Sequence, residues 1–188
     1  MGVLRTHDNV LREGCITLRP LTDADLPLLY RWNADPEVLY WTEGEENPKP
    51  MTPEEVDGMY RQISQHALCF AIEVEGEFVG DGWLQKMNLP EVRALYPPDA
   101  DVRRIDVTSG EKRWWGRGVG TRMLSLMLDF AFDKQDVDVL HCICEDYNVR
   151  SCKLWKRQGF VLADPRQHGA RHELHWRLTR EEYRHHSL

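Results

Sequence analysis

The stretch Arg113-Trp-Trp-Gly-Arg-Gly-Val-Gly-Thr-Arg-Met-Leu124 decides the fold of this chain, and it follows the short apolar run 105–107. Gly116, Gly118 and Gly120 alternate with larger residues. Glycine lets the backbone turn tightly and lets a ligand approach the main chain closely. The pattern therefore predicts a tight turn that exposes backbone to a ligand.

The residues after these glycines predict a helix, because Val119, Met123 and Met127 recur at helical spacing. A helix N-terminus offers free N–H groups and the positive end of the helix dipole. Arg113 and Arg117 would add cationic donors for phosphate oxygens. The order of strand, glycine turn and helix therefore predicts a seat for a pyrophosphate.

The spacing excludes two common phosphate-binding motifs. A P-loop requires Gly-Lys-Ser/Thr at the end of the turn, whereas this turn ends in Gly120-Thr121. The dinucleotide fingerprint requires two residues between its second and third glycines, which strict alternation does not provide. Taken alone, the glycines are also consistent with a helix start that simply needs a tight entry.

A second motif, Asn148-Val-Arg-Ser-Cys-Lys-Leu-Trp-Lys-Arg-Gln-Gly-Phe160, follows about 30 residues later. Asn148 suits a helix N-cap, and Gly159 suits the position just beyond a helix end. The two motifs together resemble the signature motifs of the GNAT acetyltransferases. The matching positions are Gly118, Gly120, Asn148, Arg150, Ser151, Gly159 and Phe160.

This resemblance implies an α/β fold: a single GNAT-like domain with a central mixed β-sheet of about six to seven strands flanked by helices. It also implies acetyl-CoA as co-substrate, no metal, and direct transfer to an amine without an acyl-enzyme. The residues expected to bind acetyl-CoA are Val107, Thr108, Arg113, Trp114, Trp115, Gly116, Arg117, Gly118, Val119, Gly120, Thr121, Asn148, Ser151 and Trp155.

Two positions depart from the family pattern. Trp115 stands where the family usually has Gln or Arg, which matters little if backbone N–H groups hold the pyrophosphate. Trp155 stands where the family often has a Tyr that protonates the leaving thiolate. An indole N–H donates a hydrogen bond but is not a practical acid. We therefore expect another donor, such as Tyr147 or water, to protonate the thiolate.

Within the superfamily, the stretch from about Ile16 to Phe160 is similar to the aminoglycoside 6′-N-acetyltransferases. That similarity implies that Asp106 acts as the base or orients the acceptor amine, and that Trp41 stacks on the acceptor. Asp106 lies in a predicted strand, with its carboxylate opposite the apolar neighbours. The alternative is a structural salt bridge from Asp106 to Arg103 or Arg104.

The acceptor is expected to be a small cationic amine, because two irregular stretches, 36–50 and 86–101, combine aromatic side chains with carboxylates. Carboxylates bind ammonium groups, and aromatic faces stack on sugars and cations. The expected acceptor-binding residues in these stretches are Trp41, Glu43, Glu45, Glu46, Asp99 and Asp101. The resemblance to the aminoglycoside 6′-N-acetyltransferases adds Glu145, the nearest acid before the second motif.

The chain has 188 residues and a formal net charge of −7, which argues against a nucleic-acid partner. It has no apolar run long enough to cross a membrane and no signal-peptide core. Five cysteines without metal-ligand spacing suggest reduced thiols in the cytoplasm. The expected organisation is a flexible leader at 1–14, the acetyltransferase domain at 15–180 and a C-terminal tail at 181–188, in a monomer or homodimer.

Three other functions remain open on the sequence. One is N-terminal acetylation of a protein such as a ribosomal protein, which the run Arg19-Pro-Leu-Thr-Asp-Ala-Asp25 also resembles. Another is acylation of a siderophore hydroxylamine, with His141 near the thioester, although a lone strand histidine is more often structural. The third is a non-catalytic CoA-binding sensor, which the missing Tyr makes conceivable.

Overall fold

The computed structural model of the chain describes residues 2–43, 49–168 and 171–186, with side chains of 164–172 left aside. Its strands are β1 Leu11–Glu13, β2 Ile16–Pro20, β3 Ala67–Val74, β4 Glu77–Lys86, β5 Val102–Ser109, β6 Val139–Glu145, β7 Val161–His168 and β8 Arg171–Thr179. Its helices are α1 Leu26–Trp32, α2 Pro36–Glu43, α3 Pro53–Ser64, α4 Pro90–Arg93, α5 Val119–Asp129, α6 Val149–Arg157 and α7 Arg180–His186. One π-helical turn, Phe130–Lys134, follows α5.

The eight strands are hydrogen-bonded in the order β1-β2-β3-β4-β5-β6-β8-β7. β5 and β6 are parallel, whereas β1–β2, β2–β3, β6–β8 and β7–β8 are antiparallel. The sheet is therefore mixed, as predicted, with one or two strands more than expected. The additional strand β1 has three residues, too few to show the two-residue periodicity that identifies a strand in a sequence.

The chain divides into two compact units, one of Met1–Trp83 with Val107–Met123 and one of Leu84–Asp106 with Leu124–Leu188. The first unit packs the buried faces of α1 and α3 against β3, with Leu29 and Val56 fully buried in its core. The expected leader is ordered here: Leu4 is buried, and the Arg5 N–H donates to Ser64 Oγ at 3.0 Å.

Helix α2 corrects the prediction that the stretch from Pro36 to Pro50 is irregular. Asp35 caps this helix, because its Oδ1 accepts the N–H of Glu37 at 2.9 Å and that of Val38 at 3.3 Å. Pro36 then occupies the first helical position, where a missing N–H does no harm. Part of the stretch that suggested a loop therefore forms the first turn of a helix.

The second unit contains β6, β8 and β7 with α6 and α7. The register of β6 on β8 runs from Val139 opposite Thr179 to Glu145 opposite Glu173. The short helix α4 lies inside the predicted irregular stretch 86–101. Helix α7 covers most of the predicted tail.

The N-terminus of α3 is a capping box, as its sequence predicts. Thr52 Oγ1 accepts the Glu55 N–H at 3.2 Å, and the Thr52 N–H donates to Glu55 Oε2 at 2.7 Å. We expect Thr52→Ala to lower the free energy of unfolding by about 1 kcal/mol, because it removes one of the two capping bonds. Urea titration followed by circular dichroism measures this change.

The matched control is Glu54→Gln, an exposed position in the same first turn that takes no part in the box. Neutralising it should change stability by no more than about 0.5 kcal/mol through the helix dipole. Equal losses in both variants would contradict the role of the box.

Candidate active site

The predicted phosphate seat is a turn with two left-handed glycines in the first unit. Gly116 has a φ of 71° and Gly118 a φ of 79°. A Cβ at either position would meet no heavy atom of the described chain within 4 Å, so backbone conformation rather than lack of space requires glycine. The carbonyl of Gly118 accepts the Arg122 N–H at 3.2 Å and opens α5. The amides of the next residues, in the first turn of α5, therefore point out of the helix N-terminus.

The residues before this glycine turn are fixed against α1. Gly110 lies flat on the indole of Trp32, where a Cβ would be only 1.9 Å from a ring carbon. The Trp32 indole N–H donates to Glu111 Oε1 at 3.0 Å. The Trp115 indole N–H donates to the Ser109 carbonyl at 2.8 Å. The entry to the turn is therefore rigid before any ligand binds.

Two cationic side chains just before the turn, Lys112 and Arg113, form ion pairs with carboxylates. Arg113, a predicted phosphate ligand, pairs with Glu77. Lys112 hydrogen-bonds Asp35 at 2.8 Å and Glu37 at 3.2 Å, and these bonds raise the pKa of its ammonium group. Arg113 thus serves the fold of the turn in this structure.

Arg117 and Arg122 are the exposed cations at the turn itself. The guanidinium of Arg117 lies 5.6 Å from the ring centre of Trp114. Arg122 lies in the first turn of α5, and the sequence analysis did not single it out. The signal was present, because a residue four positions after the last left-handed glycine lies near the helix N-terminus.

In the second unit the parallel ladder between β5 and β6 ends early. It pairs Val102–Arg104 with Val139–His141. Among the described residues, no further pair of β5 with β6 follows Arg104 and His141. Backbone amides and carbonyls on such edges can pair with the amides of an extended ligand, as in strand addition. Asp106 lies two residues beyond the last pair.

Asp106 forms an ion pair with Arg104. A terminal guanidinium nitrogen of Arg104 donates a hydrogen bond to Asp106 Oδ1 at 2.8 Å. Arg104 Nε also lies 2.8 Å from Oδ2, but this contact does not have the geometry of a hydrogen bond. Arg103 instead pairs with Asp101 at 2.7 Å. Of the two salt bridges considered from the sequence, the one to Arg104 forms.

Helix α6 has the two ends that the second motif predicts. Asn148 Oδ1 accepts the Ser151 N–H at 3.0 Å, which makes Asn148 the N-cap. Gly159 has a φ of 86°, and the N–H of Phe160 donates to the Trp155 carbonyl at 3.1 Å. This 6→1 bond, with the Gly159 N–H donating to the Lys156 carbonyl at 3.2 Å, is a Schellman motif.

Trp155 supports that helix end. Its ring packs on Phe160 with centroids 5.2 Å apart, and the residue is only 3% exposed. Its Nε1 is buried without a hydrogen-bond partner among the described residues. A buried unsatisfied donor costs roughly 1–3 kcal/mol, which a ligand acceptor would recover.

A histidine pair lies buried on β6 and β8. His141 Nε2 and His175 Nδ1 share a hydrogen bond of 2.9 Å, and His175 Nε2 lies 3.3 Å from Glu173 Oε2. The sequence pointed to His141 alone and gave no sign of its hydrogen bond to His175. No sequence signal links two residues 34 positions apart before the strand pairing is known.

The predicted acceptor-binding residues differ in exposure and in whether they already form an ion pair. Trp41 is half-buried on α2, with its ring 5.0 Å from that of Tyr40, and Glu43 is exposed at the end of the same helix. Asp99 is exposed, whereas the ion pair with Arg103 occupies Asp101. Glu145 is half-buried at the end of β6. Glu45 and Glu46 lie outside the described residues.

In the part of the chain that the structure describes, no group of three or more His, Cys, Asp or Glu side chains is arranged to hold a metal ion. No helix in that part is long and apolar enough to span a membrane.

A family model described as the acetyltransferase (GNAT) domain matches residues 16–161. The chain therefore belongs to the GNAT acetyltransferases, and the prediction made from its two motifs is confirmed. It is 23% identical over 157 residues to aminoglycoside N(6′)-acetyltransferase type 1 of Klebsiella pneumoniae and, equally, of Serratia marcescens. These alignments cover 77% of this chain and 73% of each relative.

Solved structures agree on the fold. The aminoglycoside acetyltransferase AAC(6′)-Ib in complex with coenzyme A has a TM-score of 0.73 at 19% identity, over 90% of this chain and 98% of that one. A protein from Bacillus halodurans has a TM-score of 0.79 at 12% identity, over 98% and 95%. The predicted fold class, a GNAT-like domain with a mixed sheet, is confirmed.

The contact between Gly110 and Trp32 gives a test of the rigid entry to the turn. We expect Gly110→Ala to destabilise the protein by about 1–3 kcal/mol or more, because the added methyl group overlaps the indole. Gly58→Ala is the control, since a Cβ there meets nothing within 4 Å and the position lies inside α3. It should stabilise the protein by about 0.5–1 kcal/mol. Thermal unfolding of both variants measures whether each substitution lowers or raises stability. A Gly110→Ala variant as stable as the parent protein would contradict the contact.

Proposed function

We propose that this chain transfers an acetyl group directly from acetyl-CoA to an amine of a small cationic acceptor, either the 6′-amino group of an aminoglycoside or a polyamine-like compound. The observation that carries the proposal is the left-handed glycine turn at the start of α5 in a chain of the GNAT family. In the reaction, the amine nitrogen attacks the thioester carbonyl, the carbon–sulfur bond breaks, and the amine loses a proton.

The glycine turn is the seat proposed for the pyrophosphate of acetyl-CoA. Its exposed backbone at Gly116–Gly118 admits phosphate oxygens, and the N-terminus of α5 stabilises their charge. Arg117 and Arg122 are the side chains that would add hydrogen bonds. Arg113 acts on the turn through its ion pair with Glu77 rather than by direct contact.

The edges of β5 and β6 beyond their last parallel pair are proposed to hold the pantetheine arm. The arm contains two amides, which suit the backbone groups beyond Arg104 and His141. Asn148, the N-cap of α6, and Ser151, whose N–H it accepts, are proposed to lie beside this arm. The buried indole N–H of Trp155 is a donor that a sulfur or carbonyl acceptor of the cofactor would satisfy.

Asp106 is proposed to orient the acceptor amine and to receive its proton. The ion pair with Arg104 fixes the direction of the carboxylate, so the amine meets a charge that is already oriented. A carboxylate in that place can hold the ammonium form of the acceptor and take up the proton that the amine loses. The leaving thiolate is proposed to take its proton from Tyr147 or from water, because the indole of Trp155 is not an acid.

A cationic acceptor suits the remaining charges. The net charge of −7 raises the local concentration of polycations. Glu43 and Asp99 are exposed carboxylates, and Trp41 offers a half-exposed ring in the first unit. The relatives are named for aminoglycoside acetylation, and AAC(6′)-Ib also has a structure with coenzyme A and kanamycin. The cytoplasm supplies acetyl-CoA and keeps the five thiols reduced, so we place the protein there.

A thiol-release assay with acetyl-CoA tests the proposed function directly. The acceptors are kanamycin, spermidine and a set of peptides with free N-termini, each at the same concentration. Turnover with kanamycin or spermidine supports the proposal. Turnover with the peptides alone would assign the protein to N-terminal acetylation, and binding of CoA without any turnover would make it a sensor.

The phosphate seat is tested by Gly118→Glu. The variant adds a carboxylate at the helix N-terminus and forces a side chain into a left-handed backbone conformation. We expect at least about a 100-fold loss of CoA affinity by calorimetry, because several charge-assisted hydrogen bonds are lost. Gly76→Glu is the control, since it also lies at positive φ in open space but in the β3–β4 turn. Unchanged CoA affinity in a folded Gly118→Glu protein would place the seat elsewhere.

The role of Asp106 is tested by Asp106→Asn, which removes the charge at nearly constant shape. We expect turnover to fall by roughly 100-fold, the usual size of general-base assistance, while CoA affinity stays the same. The matched control is Asp101→Asn, which breaks the neighbouring carboxylate–arginine pair with Arg103. If both variants lose activity equally, or if Asp106→Asn retains the parent rate from pH 6 to 9, Asp106 is only a salt-bridge partner.

A further inference from the structure

Two cysteines of the second unit lie side by side between β6 and α6. Cys144 Sγ and Cys152 Sγ are 3.7 Å apart, and both residues are half-buried. Cys144 is the penultimate residue of β6, and Cys152 lies in the first turn of α6. The Cys152 N–H donates to the Asn148 carbonyl at 3.0 Å, so the helix geometry fixes its backbone.

We propose that Cys144 and Cys152 form an oxidisable dithiol, which a hydroperoxide converts into an intramolecular disulfide. The sulfur–sulfur bond is about 2.05 Å long, so the two atoms must approach by less than about 2 Å. The turn between them, 145–148, is short, and a small rotation of the two side chains brings the sulfurs together.

The surroundings assign different roles to the two thiols. Burial, together with the neighbouring Cys152 thiol, raises the pKa of Cys144 well above its usual range. A thiol with a raised pKa carries little thiolate and is the poorer nucleophile. Cys152 is therefore the thiol that attacks the peroxide, and Cys144 is the one that resolves the product.

The chemistry balances in two steps. The Cys152 thiol attacks the peroxide oxygen of H₂O₂, the O–O bond breaks, and sulfenic acid and one water form. The Cys144 thiol then attacks the sulfenic sulfur, the S–O bond breaks, and a second water leaves. Two thiols lose two electrons in total, and the peroxide is reduced to two waters.

The other three cysteines are placed unfavourably for this reaction. Cys15 is exposed in the turn between β1 and β2, and the described residues place no thiol within hydrogen-bond distance of its sulfur. Burial raises the pKa of Cys69 to about 12. Cys142 is fully buried on β6, and burial raises the pKa of its thiol as well. The hydrogen bond to Cys152 is made by Cys144, two residues further along the strand.

The disulfide would tether the turn that carries Asn148 to the end of β6. A displacement of about 1 Å at a catalytic site costs up to about 100-fold in rate. Oxidation should therefore lower acetyl transfer reversibly, a consequence that rests on the proposed function. Disulfide formation itself does not depend on that function.

Peptide mapping tests the pair in a Cys15→Ser background, which removes intermolecular bridging through the exposed thiol. The protein is treated with H₂O₂, alkylated in denaturant and digested with trypsin without reduction. We expect Ser151–Lys153 to be linked to Gln135–Arg150, with two hydrogens lost. Cys142→Ala should keep the link and Cys144→Ala should abolish it.

The outcomes are decisive in both parts. Fully alkylated Cys144 and Cys152 after peroxide, or a link that survives in Cys144→Ala, would overturn the dithiol. When the link forms, we expect at least a 10-fold loss of turnover that dithiothreitol restores. A linked protein with unchanged turnover would overturn the coupling to the second motif. If the reduced protein acetylates none of the acceptors tested, only the proposed function fails, since the mapping result stands by itself.

Discussion

The site depends on one backbone constraint, the left-handed conformation of Gly116 and Gly118 at the start of α5. Two positive φ angles within three residues turn the chain just before α5, and the first amides of a helix have no partner within the helix itself. Residues with a Cβ resist that conformation, so the exposed helix N-terminus exists only because glycine occupies both positions. The indole of Trp32 and the carboxylate of Glu77 hold the residues just before it.

Several charges at the candidate site are already paired within the protein, and the pairing limits what each of them can do. Arg113 resembles a phosphate ligand in the sequence, but in the structure it pairs with Glu77 of its own unit. The sequence presents Asp106 as a candidate base, and in the structure its carboxylate forms an ion pair with Arg104. A paired group is a fixed charge with a defined direction, and such a charge can orient a reactant.

The second motif shows how one helix combines stability with chemistry. Asn148 closes its first turn, and Gly159 closes its last with a Schellman motif. Trp155 packs on Phe160 at the position where a Tyr often lies in the family. The same first turn brings Cys152 to Cys144, so the motif that is proposed to flank acetyl-CoA also carries the dithiol.

The sequence by itself determined the features that depend on local residue order. These include the glycine turn, the caps at Thr52 and Asn148, and the GNAT family, because turns and caps are set by a few adjacent residues. It did not reveal strand β1, since three residues carry no readable period, and it missed the start of α2 at Asp35-Pro36.

Only the tertiary structure decided which groups meet across the chain. The partnerships of Arg113 with Glu77 and His141 with His175 join residues more than 30 positions apart. The approach of Cys144 to Cys152 depends on how β6 leads into α6. Such contacts follow from strand pairing and helix packing, and the sequence order of the partners does not encode them.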